Sequence, residues 1–424
     1  MEVIEILKGT RYYSIEEQIL REEVIEIIKK ILERYGFNPI ETPILQLYKL
    51  LSSKYAGGEE ILEECYRLKD RGGRDLGLRY ELTINLVPFL FQNPNIKLPF
   101  KRYEIGKIFR DGPVKKARAR EFTQLDFDIV GAKSALCDLE ILAILDEVFR
   151  ELNLDVEIIL NNRKILIGCL EYAGINKNQN SIILTIDKLE KIGEKEVKKE
   201  LREKGLKGDQ INKIFKVVSM KGSNQEILEE LRKVLTTKNG KEGLREIEEL
   251  LKLAEIYKLN VKFSPSLARG LGYYTGSIYE VFDVKRRTKS SLAAGGRYDN
   301  LFKNFLGRDL PSVGASFGID AICSVLKTKE KSRTEVYLIP IGISKERFLP
   351  ILRELRREFN VDFDLVGRGI SKNLEFADRN KIPFCIIVGE NELKLGKVKL
   401  KNMNTREEKI LKLENAIEEI HKNI

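Results

Sequence analysis

The sequence predicts an α+β protein: an antiparallel sheet forms the core, a helical insertion interrupts it, and a small α/β domain follows. Three stretches support this prediction. Residues 100–131 alternate like two strands joined by a basic loop, residues 160–258 are charged with helical spacing, and residues 335–424 alternate short apolar strands with helices. The expected domains are residues 1–159, 160–258, 259–330 and 335–424, with the first and third forming one core.

The chain has 424 residues and a net charge of +10, from 75 basic and 65 acidic side chains. This excess suits a polyanionic partner without demanding one. An alternative stays open, because a chain rich in Lys, Glu and Ile and without Trp also fits a heat-adapted protein with many surface ion pairs.

No apolar run approaches the length of a membrane span, and the charged start lacks the apolar core of a signal peptide. We therefore expect a cytoplasmic protein that does not engage a membrane. The five cysteines are far apart, and the one histidine, His421, lies near the end of the chain. A zinc site or histidine-based catalysis is not expected, and we predict no metal site made by the protein itself.

The first predicted element is a long helix. Ser14 and Glu17 have the spacing of a capping box, and apolar residues recur at helical intervals until Gly36 ends the pattern. A strand ending near Pro43 should follow.

Residues 76–83 alternate in polarity, which predicts a strand with Arg79, Glu81 and Thr83 on one face. Glu81 and Thr83 would then form a small polar patch. A half-exposed strand of no chemical role is the alternative.

The hairpin at residues 100–131 is the stretch around which the rest is organised. A period of two places Arg110 on one face of the first strand, and Gln124, Asp126 and Asp128 on one face of the second. Because the other side of the second strand is apolar and should pack in a core, this polar row indicates a pocket wall. An ordinary hairpin with one solvated face is the alternative. The connecting loop carries cations suited to phosphate, namely Lys115, Lys116, Arg118 and Arg120.

Residues 135–154 predict another helix. From 160 to 258 the chain is charged and helical, without obvious pocket residues, and opposite charges at helical spacing usually belong to a solvated face.

Residues 267–282, LARGLGYYTGSIYEVF, form a second chemical stretch. Arg269 offers a planar, permanently charged guanidinium that suits a phosphate. Tyr273 and Tyr274 offer flat walls for an aromatic ligand, although a core strand would also contain such residues.

The following stretch, AAGGRYDN, contains Gly295 and Gly296, where backbone can approach a ligand closely, and then Arg297 and Tyr298. After it, residues 311–326 have the pattern of a strand that passes into a helix. The C-terminal part ends in a basic hairpin with Lys394, Lys397, Lys399 and Lys401, which could meet RNA phosphates.

These motifs together resemble a known family. Arg110, Gln124 and Asp128 are spaced as in motif 2 of class II aminoacyl-tRNA synthetases, in the form seen in histidyl-tRNA synthetases. The first helix and strand resemble motif 1, residues 311–326 resemble motif 3, and residues 267–282 resemble the histidine-specific signature. LRYELT at residues 78–83 is similar to archaeal and eukaryotic-type members, and the C-terminal part resembles a class IIa anticodon-binding domain.

The resemblance implies a histidine–tRNA ligase that uses ATP and magnesium, binds L-histidine and tRNA(His), and forms a homodimer. The residues that match the family's catalytic arginines are Arg110 and Arg269. The matches for histidine binding are Glu81, Thr83, Gln124, Asp128, Tyr273, Tyr274 and Tyr298, with Tyr274 and Asp128 suited to the two imidazole nitrogens. The matches for ATP binding are Arg110, Arg118, Gln124, Arg269 and Gly318. The insertion would help to hold the tRNA acceptor arm.

The sequence departs from the family pattern at three positions. Ala321 stands where most members have an arginine for the γ-phosphate, Gly112 where an acid is common, and Gly272 where an aspartate is usual. Another cation would have to bind the γ-phosphate, and the candidates are Arg297, Arg308 and Arg118.

These departures leave an alternative from another class of protein. The regulatory subunit of ATP phosphoribosyltransferase resembles the same core, and binds histidine without charging tRNA. Residues 335–424 argue against it, since that regulator generally lacks the anticodon-binding domain.

Overall fold

The computed structural model describes residues 4–53, 63–112, 119–270, 272–328 and 332–423. The loop residues Lys115, Lys116 and Arg118 lie outside these ranges. The chain forms two compact units, one of Met1–Tyr12 with Ile19–Lys327 and the other of Tyr13–Gln18 with Thr328–Ile424. Within the described ranges, no helix is long and apolar enough to cross a membrane.

The first helix begins where the capping box predicts. The Ser14 backbone N–H donates to the Glu17 carboxylate at 2.9 Å, and the Glu17 N–H donates to Ser14 Oγ at 3.2 Å. Helix α1 (Ile15–Arg34) follows, and the chain leaves it through Gly36, whose φ of +79° favours glycine. The strand expected near Pro43 is short and lies earlier, as β1 (Asn38–Pro39).

The predicted strand at residues 76–83 is wrong beyond Leu78. A small three-stranded sheet contains β2 (Leu45–Leu47), β3 (Arg67–Lys69) and β4 (Asp75–Leu78), with helix α2 (Tyr48–Leu51) following β2. After Leu78 the chain turns, because the Glu81 carboxylate accepts from the backbone N–H groups of Thr83, at 2.8 Å, and of Ile84. These bonds lead the chain into helix α3 (Leu86–Gln92).

The predicted hairpin is present. Strands β5 (Phe100–Phe109) and β6 (Glu121–Val130) pair antiparallel, and helix α4 (Ala135–Glu151) and strand β7 (Val156–Asn162) follow. The helical stretch comes next, with α5 (Arg163–Tyr172), α6 (Gln179–Ile186), α7 (Leu189–Glu203), α8 (Gly208–Val218), α9 (Asn224–Val234) and α10 (Lys238–Ile256). The chain then returns to the sheet with β8 (Val261–Phe263), β9 (Ser277–Asp283), β10 (Ala293–Arg297), α11 (Leu301–Leu306), β11 (Ser312–Gly318) and α12 (Ile319–Val325).

The central sheet has the strand order β1-β5-β6-β11-β10-β9-β7-β8. Its inner pairs are antiparallel, and parallel pairs close both edges. One face packs in the core, where Phe127 stacks on Phe317 at 5.3 Å between ring centres, and Phe149 of α4 contacts Phe317. The apolar core continues from the sheet into the insertion helices, with buried Leu201, Ile214 and Leu231 in the same cluster.

The smaller unit has its own sheet and core. It contains β12 (Val336–Ile341), α13 (Lys345–Glu358), β13 (Val361–Phe363), α14 (Ile370–Arg379), β14 (Phe384–Gly389), α15 (Glu390–Lys394), β15 (Val398–Asn402), β16 (Glu408–Leu411) and α16 (Leu413–His421). Strands β13, β12 and β14 are parallel, and β15 and β16 form the expected hairpin. In that hairpin Lys399 and Lys401 pair with Glu408, whereas Lys394, predicted in the same hairpin, instead ends helix α15 and is exposed.

Candidate active site

The second face of the central sheet, called the polar face below, collects most of the predicted site residues. Strand register defines it, because directly paired residues of neighbouring strands point to the same side. Its three cross-strand rows are Gly106–Gln124–Gly318, then Glu104–Asp126–Ser316–Ala294–Glu280, and then Arg102–Asp128–Gly314–Gly296–Ile278. The polar row predicted for β6 therefore runs across four further strands.

Asp128 lies at the centre of a buried hydrogen-bonded group. The Tyr298 hydroxyl donates to its carboxylate, and Arg102 pairs with its other oxygen at 2.6 Å. Burial raises the pKa of Asp128, while Arg102 and Tyr298 lower it. Gly314 makes room for this carboxylate, since a Cβ there would lie 1.9 Å from Asp128 Oδ1.

An aromatic wall stands beside Asp128. The ring centre of Tyr273 lies 4.9 Å from that of Tyr274 and 5.7 Å from that of Tyr298. Burial raises the pKa of all three phenols, so they stay neutral donors. Gly296 lets Tyr274 pack against the strand, because a Cβ at this position would lie 2.9 Å from the Tyr274 ring.

Glu81 and Thr83 reach the same region from the turn after β4. Both are buried, at 5 % and 8 % exposure. Burial raises the pKa of Glu81, and the charge of Asp128 raises it further. The polar patch is thus present, although a turn rather than a strand builds it.

Arg269 lies in an irregular segment before β9 and pairs with Glu280 of the polar face. Its Nε is buried and has no hydrogen-bond partner among the described residues. The Glu280 carboxylate raises the pKa of Arg269 against the opposing effect of burial, so the guanidinium keeps its charge.

Arg110 directly follows β5, at the end of the polar face opposite to β9. Its guanidinium lies 4.2 Å from the ring centre of Tyr80 and 5.1 Å from that of Phe122, which holds it by cation–π contacts. Gln124, in the nearest row, has a buried Oε1 without a partner in the described parts of the chain. Four strand spacings, or about 19 Å, separate β5, which Arg110 follows, from β9, whose Glu280 pairs with Arg269.

The candidates for the missing motif 3 arginine have different surroundings. Arg297 points to the opposite face of the sheet and is buried against Asp138 and Asp299. Arg308 donates to the carbonyl of Pro94 at 3.3 Å and lies four positions before Ser312, the first residue of β11. Ser312 is about 20 Å along β11 from Gly318.

Ala321 lies in the first turn of α12. Its neighbour Asp320 pairs with Arg21 at 2.7 Å and accepts from the Thr123 backbone N–H at 2.8 Å. Arg297 is already paired with Asp138 and Asp299 on the opposite face of the sheet, and Arg118 is not among the described residues.

Sequence reasoning missed four polar residues of this region. Arg102 and Glu280 were not singled out, Asp126 was placed on the polar face without a role, and Ser316 was passed over. Asp126 and Ser316 are directly paired residues of β6 and β11, and a hydrogen bond between their side chains lowers the pKa of Asp126 against the larger effect of burial. The period-two alternation could have flagged Arg102 and Glu104 as it did Gln124 and Asp128, but the pairing with β9 and β11 is not visible in a local pattern.

A solved structure shares this architecture. The crystal structure of histidyl-tRNA synthetase from Nostoc superimposes with a TM-score of 0.86 at 28 % identity, over 100 % of both chains. The fold is therefore that of a class II aminoacyl-tRNA synthetase.

The sequence comparisons identify the family within this class of enzymes. A family model described as histidyl-tRNA synthetase matches residues 9–322, and one described as anticodon binding domain matches residues 335–423. A protein named histidine–tRNA ligase 1 from Bacillus cereus is 43 % identical over 406 residues, which cover 94 % of this chain and 95 % of that one. The chain belongs to the histidyl-tRNA synthetase family.

The predicted family is thus confirmed, whereas its archaeal-type subdivision is not supported, since these relatives are bacterial. A further neighbour, from Bacillus halodurans, has a title that names both an ATP phosphoribosyltransferase regulatory subunit and a histidyl-tRNA synthetase. It superimposes with a TM-score of 0.75 at 20 % identity, covering 91 % of this chain and 98 % of that one, a likeness of fold alone.

Proposed function

We propose that this protein, a histidine–tRNA ligase by family, activates histidine on the polar face and transfers it to the 3′ end of tRNA(His). The observation that supports the site is the convergence of Asp128, Tyr298 and Arg269 from distant segments onto that face. In the first step the histidine carboxylate attacks the α-phosphorus of ATP, forming histidyl-adenylate and releasing pyrophosphate. In the second, a hydroxyl of the terminal ribose attacks the acyl carbon and releases AMP.

Histidine would be bound by the carboxylates and tyrosines. Glu81, with Thr83, would receive the α-ammonium group, since charge-assisted hydrogen bonds are the strong ones. Asp128 and Tyr274 would bond the imidazole nitrogens, with the rings of Tyr273 and Tyr298 as walls. Gln124 would also contact histidine, through its Oε1, which has no hydrogen-bond partner among the described residues.

ATP would be held by the two arginines. Arg110 and Arg269, on opposite sides of the polar face, would stabilise the charge that develops on the α-phosphate. Magnesium would enter as part of the nucleotide substrate, because Mg²⁺ at such sites keeps its waters and needs only one or two carboxylates besides the phosphates. Among the described residues, no group of three or more His, Cys, Asp or Glu side chains is placed to hold a metal ion.

The residues of this chain would therefore position the substrates and neutralise the charge that develops on the phosphate. None of them is required as a nucleophile. The tRNA would be recognised partly by the C-terminal unit, in which the exposed Lys394 ends helix α15, before the hairpin. The homodimer, the cytoplasmic location, the domain bounds and the role of the insertion stay predictions.

The test is histidine-dependent exchange of pyrophosphate into ATP. The wild-type chain should catalyse it, and Arg269→Ala should abolish it while circular dichroism still shows a folded chain. Arg245→Ala, which removes an exposed guanidinium from α10, is the matched control and should behave as wild type. Near-normal exchange by Arg269→Ala would refute the role given to this arginine.

The pocket for histidine has its own test. Asp128→Asn should raise the KM for histidine more than the KM for ATP, because Asp128 would contact the imidazole alone. Equal losses for both substrates would contradict that assignment.

Gly318 tests the nucleotide position. A Cβ there would lie 3.5 Å from the Ala321 Cβ and 3.6 Å from the Leu292 carbonyl oxygen, both ordinary contacts, so Gly318→Ala should fold normally. If ATP lies against this residue, the variant should raise the KM for ATP several-fold and leave the KM for histidine unchanged. An unchanged KM for ATP would remove Gly318 from the ATP site.

The rival function, histidine binding without catalysis, predicts no exchange in the wild-type chain. The anticodon-binding match at residues 335–423 favours the ligase.

A further inference from the structure

We propose that Glu280 is a positioning residue for the activation step: it clamps one terminal nitrogen of Arg269 and thereby presents the rest of the guanidinium to the α-phosphate. This inference rests on the proposed function. Nothing in the sequence reasoning or in the family match singled out Glu280.

The clamp is needed because Arg269 has no regular structure to hold it. The residue lies in the irregular segment between β8 and β9, whereas Glu280 sits in the middle of β9 with strands paired on both sides. The ion pair therefore ties a loop side chain to the most rigid part of the sheet. Both side chains are mostly buried, with 19 % of Arg269 and 17 % of Glu280 exposed.

The nitrogens of the Arg269 guanidinium have different surroundings. Glu280 engages Nη1, while the buried Nε has no partner among the described residues. A buried donor without a partner costs free energy, so a ligand that accepts from it is bound more strongly. The planar fork of arginine suits two-point recognition of a phosphate or carboxylate, and holding one nitrogen fixes the orientation of the others.

The register places this clamp in line with the ligand site. Glu280 is directly paired with Ala294, which pairs with Ser316, which pairs with Asp126 of the hairpin. Ala294 has a side chain too short to obstruct that row. The Arg269 head, bonded to Glu280, is therefore at the border of the same polar face that carries Gln124 and Asp128.

Charges from the insertion also reach the clamp. Asp187, at the C-terminal end of α6, interacts electrostatically with both Arg269 and Glu280, and Lys191 pairs with Asp187 at 3.1 Å. The charged groups that face Glu280 are thus Arg269, Asp187 and Lys191, while its neighbours on β7 and β10 are the uncharged Ile159 and Ala294. Burial and Asp187 raise the pKa of Glu280, and Arg269 and Lys191 lower it.

Two variants separate charge from shape. Glu280→Gln keeps the length of the side chain and loses the charge, whereas Glu280→Asp keeps the charge and is one methylene shorter. If Glu280 positions Arg269 through the ion pair, Glu280→Gln should lower the kcat of pyrophosphate exchange by about 10- to 100-fold with little change in the KM for histidine. Glu280→Asp should retain more activity than Glu280→Gln.

The pH profile adds a readout that a packing role would not move. Protonation of Glu280 breaks the ion pair, so wild-type exchange should fall on the acid side of its profile, and this acid limb should be flattened in Glu280→Gln. Asp187→Asn, which leaves the clamp in place, should keep the acid limb but shift it to lower pH, because Asp187 raises the pKa of Glu280.

The outcomes are distinct. Wild-type kcat in Glu280→Gln, or a larger loss in Glu280→Asp than in Glu280→Gln, would overturn the positioning role and leave the proposed function standing. Loss of exchange together with a large fall in the unfolding midpoint of Glu280→Gln would show a structural role and also overturn it. Absence of exchange in the wild-type chain would overturn both proposals.

Discussion

At the scale of single residues, the polar face is dominated by buried charge. Among the buried described side chains of this face, the carboxylates Glu81, Glu104, Asp126 and Asp128 outnumber the guanidinium groups of Arg79 and Arg102. Arg79 pairs with Glu104 at 2.9 Å and Arg102 with Asp128 at 2.6 Å. Buried charges are costly unless paired, so the excess of negative charge favours a ligand that brings positive charge, such as an ammonium group.

Asp126 should make stability depend on pH. Burial raises its pKa to about 7, although Arg102 opposes the shift. Because this pKa is higher in the folded than in the unfolded chain, the folded state binds the proton more tightly, and the stability from this group is lost as pH rises from about 4 to 7. At about 1.4 kcal/mol per pKa unit, the upper limit of the loss is about 4 kcal/mol.

We therefore expect Asp126→Asn to raise the unfolding midpoint by several degrees at pH 8, and by much less at pH 5, where the wild-type carboxyl approaches neutrality. Thermal unfolding followed by circular dichroism at both pH values measures this. Asp155→Asn, at an exposed acid, is the control and should show no such difference. A shift of equal size at both pH values would contradict the argument.

At the scale of elements, the two faces of β10 have different roles. Gly296 belongs to the polar face, whereas the next residue, Arg297, points to the other side and pairs with Asp138 in the first turn of α4. Asp138 also accepts from the Ser277 hydroxyl of β9. The pair therefore joins α4 to the sheet and is a support of the fold, so Arg297 is a poor substitute for a phosphate-binding arginine.

Asp138→Ala should cost about 3–5 kcal/mol of unfolding free energy, since it leaves the Arg297 guanidinium buried without its main partner. Urea unfolding measures the loss. The double variant Asp138→Leu with Arg297→Met should recover much of it, because an apolar pair removes the unpaired charge. A double variant as unstable as Asp138→Ala would show that packing, not charge, sets the cost.

At the scale of the whole molecule, the apolar cores predict how the chain unfolds. One core runs from the central sheet into the insertion helices, while the C-terminal unit has separate clusters on the two sides of its own sheet. Side chains that share one core lose their contacts together, so the insertion and the central sheet should unfold as one cooperative unit.

Calorimetry should therefore show two transitions, one for each compact unit. Asp138→Ala should lower the midpoint of one of them and leave the other in place. Hydrogen exchange should give insertion helices such as α8 and central strands such as β6 similar protection. A third transition assigned to residues 160–258 would instead support an insertion that is independent of the sheet.

The sequence by itself determined the local structure and the family. Capping at Ser14, the β5–β6 hairpin and the alternation of Gln124, Asp126 and Asp128 depend on neighbours a few positions apart, which a single chain displays directly. It failed at residues 79–83, where the Glu81 carboxylate bonds the backbone and bends a stretch that alternates like a strand.

Only the tertiary structure decided how the site is assembled. Tyr298 lies 170 positions from Asp128, and the two meet because β6, β11 and β10 pair in one register. The same register puts Glu280 on the polar face and turns Arg297 away from it. Shifting a strand by one residue would exchange these faces, and that register is set by the packing of the whole sheet against its core rather than by any local pattern.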